Sequence, residues 1–358
     1  MAVLLSACAT RLPPLPANAI YARPVGVTPP ESAAPKDPHN VLILSGGGAY
    51  GAYGAGFLTG WTERGNRPKF DVVTGVSTGS IIATCAFLGE EFDPLLKKLY
   101  TTFRTDQLLH VRFLPTAIFG ESLLTSKPMK GLLEDVISDD MIDAVAIEHA
   151  KGRRLYAGTT NLDTRQFTVW DLGAIACSPQ NERYELFRKV VLASASIPIA
   201  FEPVYFELEI NGELHSQMHV DGGVVGPIFL FDWMLAPRPA TGSNGSVYAI
   251  LNLPYGEGNY EPVKPDLPGI ANATFATLME ALNVSRLKEA RSLSKDCGYD
   301  FRYAAVPATF AEDNNPLRFE TEYLEKLFTK GLEDASEHRP WLEEPEALPG
   351  APELESVQ

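Results

Sequence analysis

The stretch "LILSGGGAYGAYGAG", Leu42 to Gly56, sets a glycine-rich loop directly behind a short apolar run. Gly46-Gly47-Gly48-Ala49-Tyr50-Gly51 fits G-x-G-x-x-G, the pattern of dinucleotide sites, in which backbone N–H groups cradle a pyrophosphate. The same ring of N–H groups can instead hold the oxygen that gains charge when a carbonyl is attacked. The two readings differ in what they require at the end of the next strand.

That strand is "FDVVTGV" (70–76), and it runs straight into a helix at "TGSIIATCAFLG" (78–89). The junction, "GVSTG", is a G-x-S-x-G between strand and helix, the setting of a nucleophile elbow. Gly75 and Gly79, two residues either side of Ser77, let the chain double back sharply. The Ser77 hydroxyl then stands at a helix N-terminus, whose positive end favours developing negative charge. A dinucleotide fold requires an acid that closes the second strand and reaches the ribose. Asp71 falls 20 residues after Gly51 but opens the strand, which puts it at the wrong edge of the sheet. The dinucleotide reading therefore fails on context. If the first two strands are neighbours, Gly46, Gly47 and Gly48 become oxyanion donors beside Ser77.

A serine nucleophile needs a base. In the usual triad order of Ser, acid, then His, only His338 follows the best acid, Asp221, and it sits in an acidic segment. His219 precedes Asp221 by two residues in the same strand, on the same face, and reads mainly as a polar residue near a strand end. A triad is thus poorly supported. Asp221 opens "DGGVVG", where Gly222 and Gly223 let a carboxylate lie close to another loop. Partial desolvation would raise its basicity, and a hydrogen bond from Ser77 would fix its geometry. The three strand-end turns together point to a Ser77–Asp221 dyad.

Around these turns, short apolar runs alternate with helical patterns. Strands are expected at 41–44, 70–76, 153–162, 166–172, 217–220 and 246–254. Helices are expected near 51–64, 78–89, 184–196, 268–295 and 320–334. Such alternation predicts an α/β fold with a largely parallel sheet covered on both faces. Residues 9–38 are Pro- and Ala-rich and read as a tether, 39–338 as the folded domain, and 339–358 as a disordered acidic tail. The run "HVRFLPTAIFGESLL" (110–124) suits a lid, a membrane-facing loop or a core segment equally.

The residues Leu5-Ser6-Ala7-Cys8 resemble a bacterial lipobox, so residues 1–8 read as a shortened lipoprotein signal with Cys8 as the acylated position. This predicts a lipid-anchored protein of the bacterial cell envelope. The chain has 358 residues and a formal net charge of -15, which argues against nucleic acid and against electrostatic docking on anionic lipid. Cys85, Cys177 and Cys297 show no metal-ligand spacing and read as small buried hydrophobes. No metal or cofactor is called for.

Taken together, GGGAYG, GVSTG and DGG, with "TTNLDTRQFTVWDLG" and "ASASIPIAFEPV" between them, resemble the patatin-like acyl hydrolases, over roughly Asn40 to Pro307. The resemblance implies a three-layer α/β/α fold, a Ser77–Asp221 dyad, the first glycine loop as oxyanion hole, no metal, and lipid ester substrates. Two positions depart from the family pattern. Tyr50 stands where an Arg or Lys is usual, and Gly226-Pro227 keeps only the proline of an Asn-Pro pair. Loss of the cation bears on phospholipid preference. The rival readings are a lipid-binding envelope scaffold with a degenerate pocket, and a thioesterase or triad esterase.

Overall fold

The structure, a computed structural model, describes residues 39–102, 110–111, 121–210, 213–236, 242, 245–256, 262–310, 316–338 and 340–345. Cys8, the tether and most of the 110–124 run fall outside them. The strands are β1 (His39–Leu44), β2 (Val72–Val76), β3 (His110–Val111), β4 (Leu124–Thr125), β5 (Arg154–Asn161), β6 (Gln166–Asp171), β7 (Val204–Ile210), β8 (Glu213–Asp221), β9 (Gly245–Tyr255) and β10 (Tyr299–Pro307). The helices are α1 (Gly51–Glu63), α2 (Thr78–Leu88), α3 (Asp93–Thr102), α4 (Lys127–Val136), α5 (Asp139–Ala150), α6 (Leu172–Ala176), α7 (Arg183–Ser194), α8 (Leu267–Asp296) and α9 (Thr321–Ser336).

Five strands, in the order β10-β9-β1-β2-β5, run parallel. β9, β1, β2 and β5 are buried on both faces, which is why they read as near-continuous apolar runs, whereas the edge strand β10 leaves Asp300 exposed. In β1, Leu42 and Leu44 enter one core with α1, α2 and α9, while Val41 and Ile43 enter a second with the 228–236 segment and α8. The result is the expected three-layer α/β/α fold. α2 lies deepest, with every residue buried, as a helix apolar on all sides must.

The far side of β5 is antiparallel, and its register sets the site. β6 pairs with residues 156–161 of β5 and overlaps the β2 pairing there, so β2 and β6 occupy opposite edges. β8 pairs only with residues 159–161, where β6 already holds its edge. It therefore takes the edge that β2 leaves after Gly158. β2 and β8 meet almost end to end, and the C-terminal end of an antiparallel strand arrives at the C-terminal end of a parallel one.

Several expectations need revision. β7 and β10 were not anticipated as strands, nor were α3, α4, α5 and α6 as helices. The tail does not begin at Pro340: Trp341 packs edge-on against Phe57 and Trp61 at 4.8 and 4.7 Å, and Leu342 exchanges backbone hydrogen bonds with Tyr303. A large aromatic buries enough apolar surface to hold such a segment down. Of the described cysteines only Cys85 is a buried hydrophobe, since Cys177 is exposed and Cys297 half-buried. Among the described residues, no helix is long and apolar enough to cross a membrane.

Candidate active site

Ser77 lies between β2 and α2 with φ 55° and ψ −130°, a conformation L-residues avoid and one that costs about 1–3 kcal/mol. It is braced on both sides. Its N–H donates to Ser194 Oγ at 2.9 Å, and Ser194 Oγ donates to the Gly158 carbonyl at 2.7 Å. Its carbonyl accepts from the Ser80 N–H and hydroxyl at 2.8 and 2.7 Å. The elbow glycines are needed for close approach. A Cβ on Gly75 would sit 2.4 Å from the Gly79 carbonyl oxygen, and one on Gly79 2.5 Å from those of Leu44 and Ser45.

Asp221 ends β8. Its backbone N–H donates to Ser196 O at 2.8 Å, and its Oδ1 accepts from the Gly223 N–H at 2.7 Å. Gly222 gives the turn room to pass the Gly158 carbonyl, which a Cβ would meet at 2.4 Å. The Ser77 side chain lies close enough to the Asp221 carboxylate to stabilise its charged form. Burial pushes the Asp221 pKa up to about 6, while Ser77 and the Gly223 N–H pull it back down. The sequence-predicted pair is thus brought together, with the carboxylate desolvated and more basic than an exposed one.

The glycine loop comes alongside because β1 and β2 are paired neighbours. A Cβ on Gly46 would lie 3.1 Å from Ser77 Cβ. The three glycines are not equivalent, however. The Gly46 N–H is engaged by the Pro227 carbonyl at 3.2 Å, so it is no free donor. Gly47 and Gly48, at φ 149° and 56°, have N–H groups with no acceptor among the described residues. Gly51 starts α1 against Thr78 and Tyr100.

Ser77 opens onto a cavity of about 570 Å³ when its solvent-filled mouth is counted. Ile81, Leu99, Met129, Leu132 and Phe201 make its walls overwhelmingly apolar. Such a chamber suits a hydrocarbon chain. Among the described residues, no group of three or more His, Cys, Asp or Glu is arranged to hold a metal.

Neither candidate histidine joins the pair. His219 shares a hydrogen bond with Thr159 Oγ1 at 2.9 Å and packs against the rings of Trp170 and Phe206. Burial lowers its pKa to about 4. His338 lies at the opposite edge of the sheet, where its carbonyl accepts from Arg64 at the far end of α1. Asp71 holds the Asn40 N–H at the entry to β1 and β2, again away from Ser77. Tyr50 is buried edge-on against Tyr323 and faces the packing of α9.

Two supporting residues went unread in the sequence. Ser194 is one. The other is Asn252, whose Nδ2 donates to Ser45 O at 2.8 Å and whose N–H donates to Ser45 Oγ at 2.7 Å. Its carbonyl oxygen lies 1.5 Å from where a Cβ on Gly47 would stand, so Asn252 moulds the loop. Neither residue carries a motif; a polar residue in an apolar strand was the one available signal for Asn252.

No curated protein sequence matches this chain. Two solved structures resemble it at 14% identity. VipD from Legionella pneumophila is matched over 84% of this chain and 66% of its own, with a TM-score of 0.41. Full-length ExoU of the Pseudomonas aeruginosa type III secretion system, solved with SpcU, is matched over 83% and 53%, with a TM-score of 0.31. This chain therefore spans just under two thirds of the one and about half of the other. The family model for patatin-like phospholipases matches residues 42–232, more than half of the chain and all three glycine turns. On that match, the chain belongs to the patatin-like phospholipase family.

Proposed function

We propose that this protein is a serine acyl hydrolase of lipid esters, of phospholipase A or esterase type, which works through a covalent acyl-enzyme. The observation that carries this reading is the Ser77 hydroxyl set beside the desolvated Asp221 carboxylate at the mouth of an apolar cavity. Ser77 Oγ attacks the ester carbonyl carbon while its proton passes to Asp221. The carbonyl oxygen takes up negative charge facing the N-terminus of α2 and the N–H groups of Gly47 and Gly48, which have no acceptor among the described residues. Such donors are worth about 10²–10³ in turnover each in other enzymes. The tetrahedral species then collapses, the ester C–O bond breaks, and Asp221 returns the proton to the departing alcohol. Water next attacks the acyl carbonyl, gives a proton to Asp221, and releases the fatty acid as Ser77 regains its hydrogen.

The experiment is a substrate panel, from short p-nitrophenyl esters to phospholipids and acylglycerols, run beside Ser77→Ala. Loss of hydrolysis in the variant supports the reading, and an unchanged rate defeats it. We further propose that Cys8 carries acyl chains that tether the enzyme to the bacterial envelope membrane. Intact-mass analysis of the protein from its native membrane, showing an unmodified Cys8, would remove that anchor.

A further inference from the structure

α8 is two different helices in one. From Asn283 onward it contributes Val284, Leu287 and Ala290 to the buried interior. Between Leu267 and Leu282 no described residue is buried. In a chain with 45 acidic and 30 basic residues, "LPGIANATFATLM" (267–279) holds no charge at all. Leu267, Ile270 and Leu278 are 81%, 54% and 64% exposed. At 3.6 residues per turn, positions 267, 270, 274 and 278 form one stripe. The threonines here withdraw their polar ends: Thr274 and Thr277 donate to the carbonyls of Ile270 and Ala273, each at 2.8 Å. This back-bonding removes hydroxyls from the helix surface.

The position of this half-helix gives it a use. Met279 abuts Gly223, next to Asp221. The twelve residues before it, about 18 Å of helix, continue past the catalytic edge of the sheet. Val224, directly after the Asp221 turn, is 37% exposed. On the other flank, Ile199 is 73% exposed and held at φ 71°, which a β-branched residue adopts only under constraint. Its carbonyl accepts from Leu123, itself 48% exposed, and its neighbours Ile197 and Phe201 line the cavity. Apolar surface thus lies on both flanks of the Ser77–Asp221 pair, and on the Ile199 side it adjoins the chamber that opens at Ser77.

We propose that the N-terminal half of α8 is a lipid-surface docking element, which lies in the headgroup region of a neutral phospholipid bilayer with Leu267, Ile270 and Leu278 inserted. This rests on the lipid acyl hydrolase reading for its purpose, though not for its test. Docking there brings the mouth of the cavity onto the surface that supplies its substrate. The net charge of -15 and the uncharged stripe commit the element to zwitterionic rather than anionic lipid. A helix with one apolar face and exposed leucines binds such an interface in proportion to the apolar area it inserts.

The test uses the full-length chain carrying Cys8→Ser, so that no acyl anchor contributes, and phosphatidylcholine vesicles in a flotation assay. The parent should float with the vesicles. Leu267→Glu/Ile270→Glu/Leu278→Glu should lower partitioning by roughly 100-fold or more, because three charges replace three inserted side chains. Its melting temperature and its rate on soluble p-nitrophenyl butyrate should stay those of the parent, while hydrolysis of vesicle lipid falls with binding. Leu278→Trp should show a blue-shifted emission on the same vesicles. A parent that does not float, or a triple variant that floats equally well, overturns the proposal. So does a parent dimer that the triple variant dissolves, which would make this face a seam between two copies. Binding that grows with added phosphatidylglycerol and disappears in salt also overturns it. Ser77→Ala should float as the parent does, so failure of docking and failure of the catalytic reading give separate results.

Discussion

Ser77 and Asp221 stand at facing ends of two strands that share one edge of β5: Val76 pairs with Gly158, and Asp221 pairs with the next residue, Thr159. The separation of nucleophile and carboxylate is fixed by two adjacent rungs of a β-ladder, with little left to side-chain choice. Groups held this way act as a unit, and their deletions are not additive. Ser77→Ala and Asp221→Asn should each lower kcat by about 10³ or more, and the double variant should be no slower than the worse single one. A fluorophosphonate probe should label the parent and leave Ser77→Ala unlabelled, as mass spectrometry of the active-site peptide will show.

The carboxylate must be ionised to accept a proton from Ser77. Burial places its pKa at about 6, so kcat/KM should be level above that pH. Below it the rate should fall tenfold per unit, read from initial rates on a soluble ester. Stability runs the other way. The folded state holds this proton more tightly than the unfolded chain does, so the charged form costs the fold on the order of 3 kcal/mol at neutral pH. Asp221→Asn should therefore melt a few degrees higher at pH 7.5. That advantage should shrink as pH falls from 6 toward 4, where the parent's Asp221 is protonated.

Ser194 holds the elbow through one hydroxyl, which accepts from the Ser77 N–H and donates to the Gly158 carbonyl. Ser194→Ala strands a buried donor and a buried acceptor, and should cost about 1–3 kcal/mol in urea denaturation. The strained Ser77 backbone then loses a restraint. Hydrolysis should fall mainly in kcat, with KM for a soluble ester nearly unchanged, whereas a purely structural role would move stability alone.

The parts of this site that a reader of the sequence can find are local. The elbow, the glycine loop and the DGG turn are each written in a few adjacent residues, because close backbone approach requires glycine at fixed offsets. The strands before them announce themselves as apolar runs buried on both faces. What is not legible is how distant segments meet. Parallel packing alone would send the end of antiparallel β8 to the wrong edge, and only its three-residue overlap with β5 brings Asp221 to Ser77. β7 was missed although Asn211-Gly212, between β7 and β8, is a strong hairpin signal. Glu207 and Glu209 broke the apolar run. Ser194 and Asn252 act by hydrogen bonds across the fold and have no local signature.

Asn252 bears on the least redundant part of the mechanism. In the proposed mechanism Gly47 and Gly48 remain as oxyanion donors among the described residues once the Gly46 N–H is committed to Pro227, so the aim of their N–H groups must be fixed by what surrounds them. Asn252 supplies much of that mould. Its two N–H donors hold the Ser45 carbonyl and hydroxyl, and Ser45 Oγ in turn donates to the Gly46 carbonyl at 2.7 Å. Its Oδ1 is buried with no hydrogen-bond partner among the described residues and would lie 2.1 Å from a Cβ on Gly54. Asn252→Ala keeps the backbone donor and removes the side-chain one. It should lower kcat by roughly 10-fold or more, in keeping with partial loss of one donor's worth, and leave KM for a short ester nearly unchanged. Asn252→Asp is nearly isosteric but cannot donate to Ser45 O and buries a charge, so it should be both slower and less stable than Asn252→Ala. Gly47→Ala is the sterner case, because its Cβ would need space already filled by the Asn252 carbonyl at a φ of 149°. It should abolish hydrolysis while Asp221 and Ser77 stay in place. Circular dichroism and melting of the three variants, read beside kcat and KM, separate a displaced loop from an unfolded protein: equal losses of rate and fold in Asn252→Ala would deny the loop-moulding role.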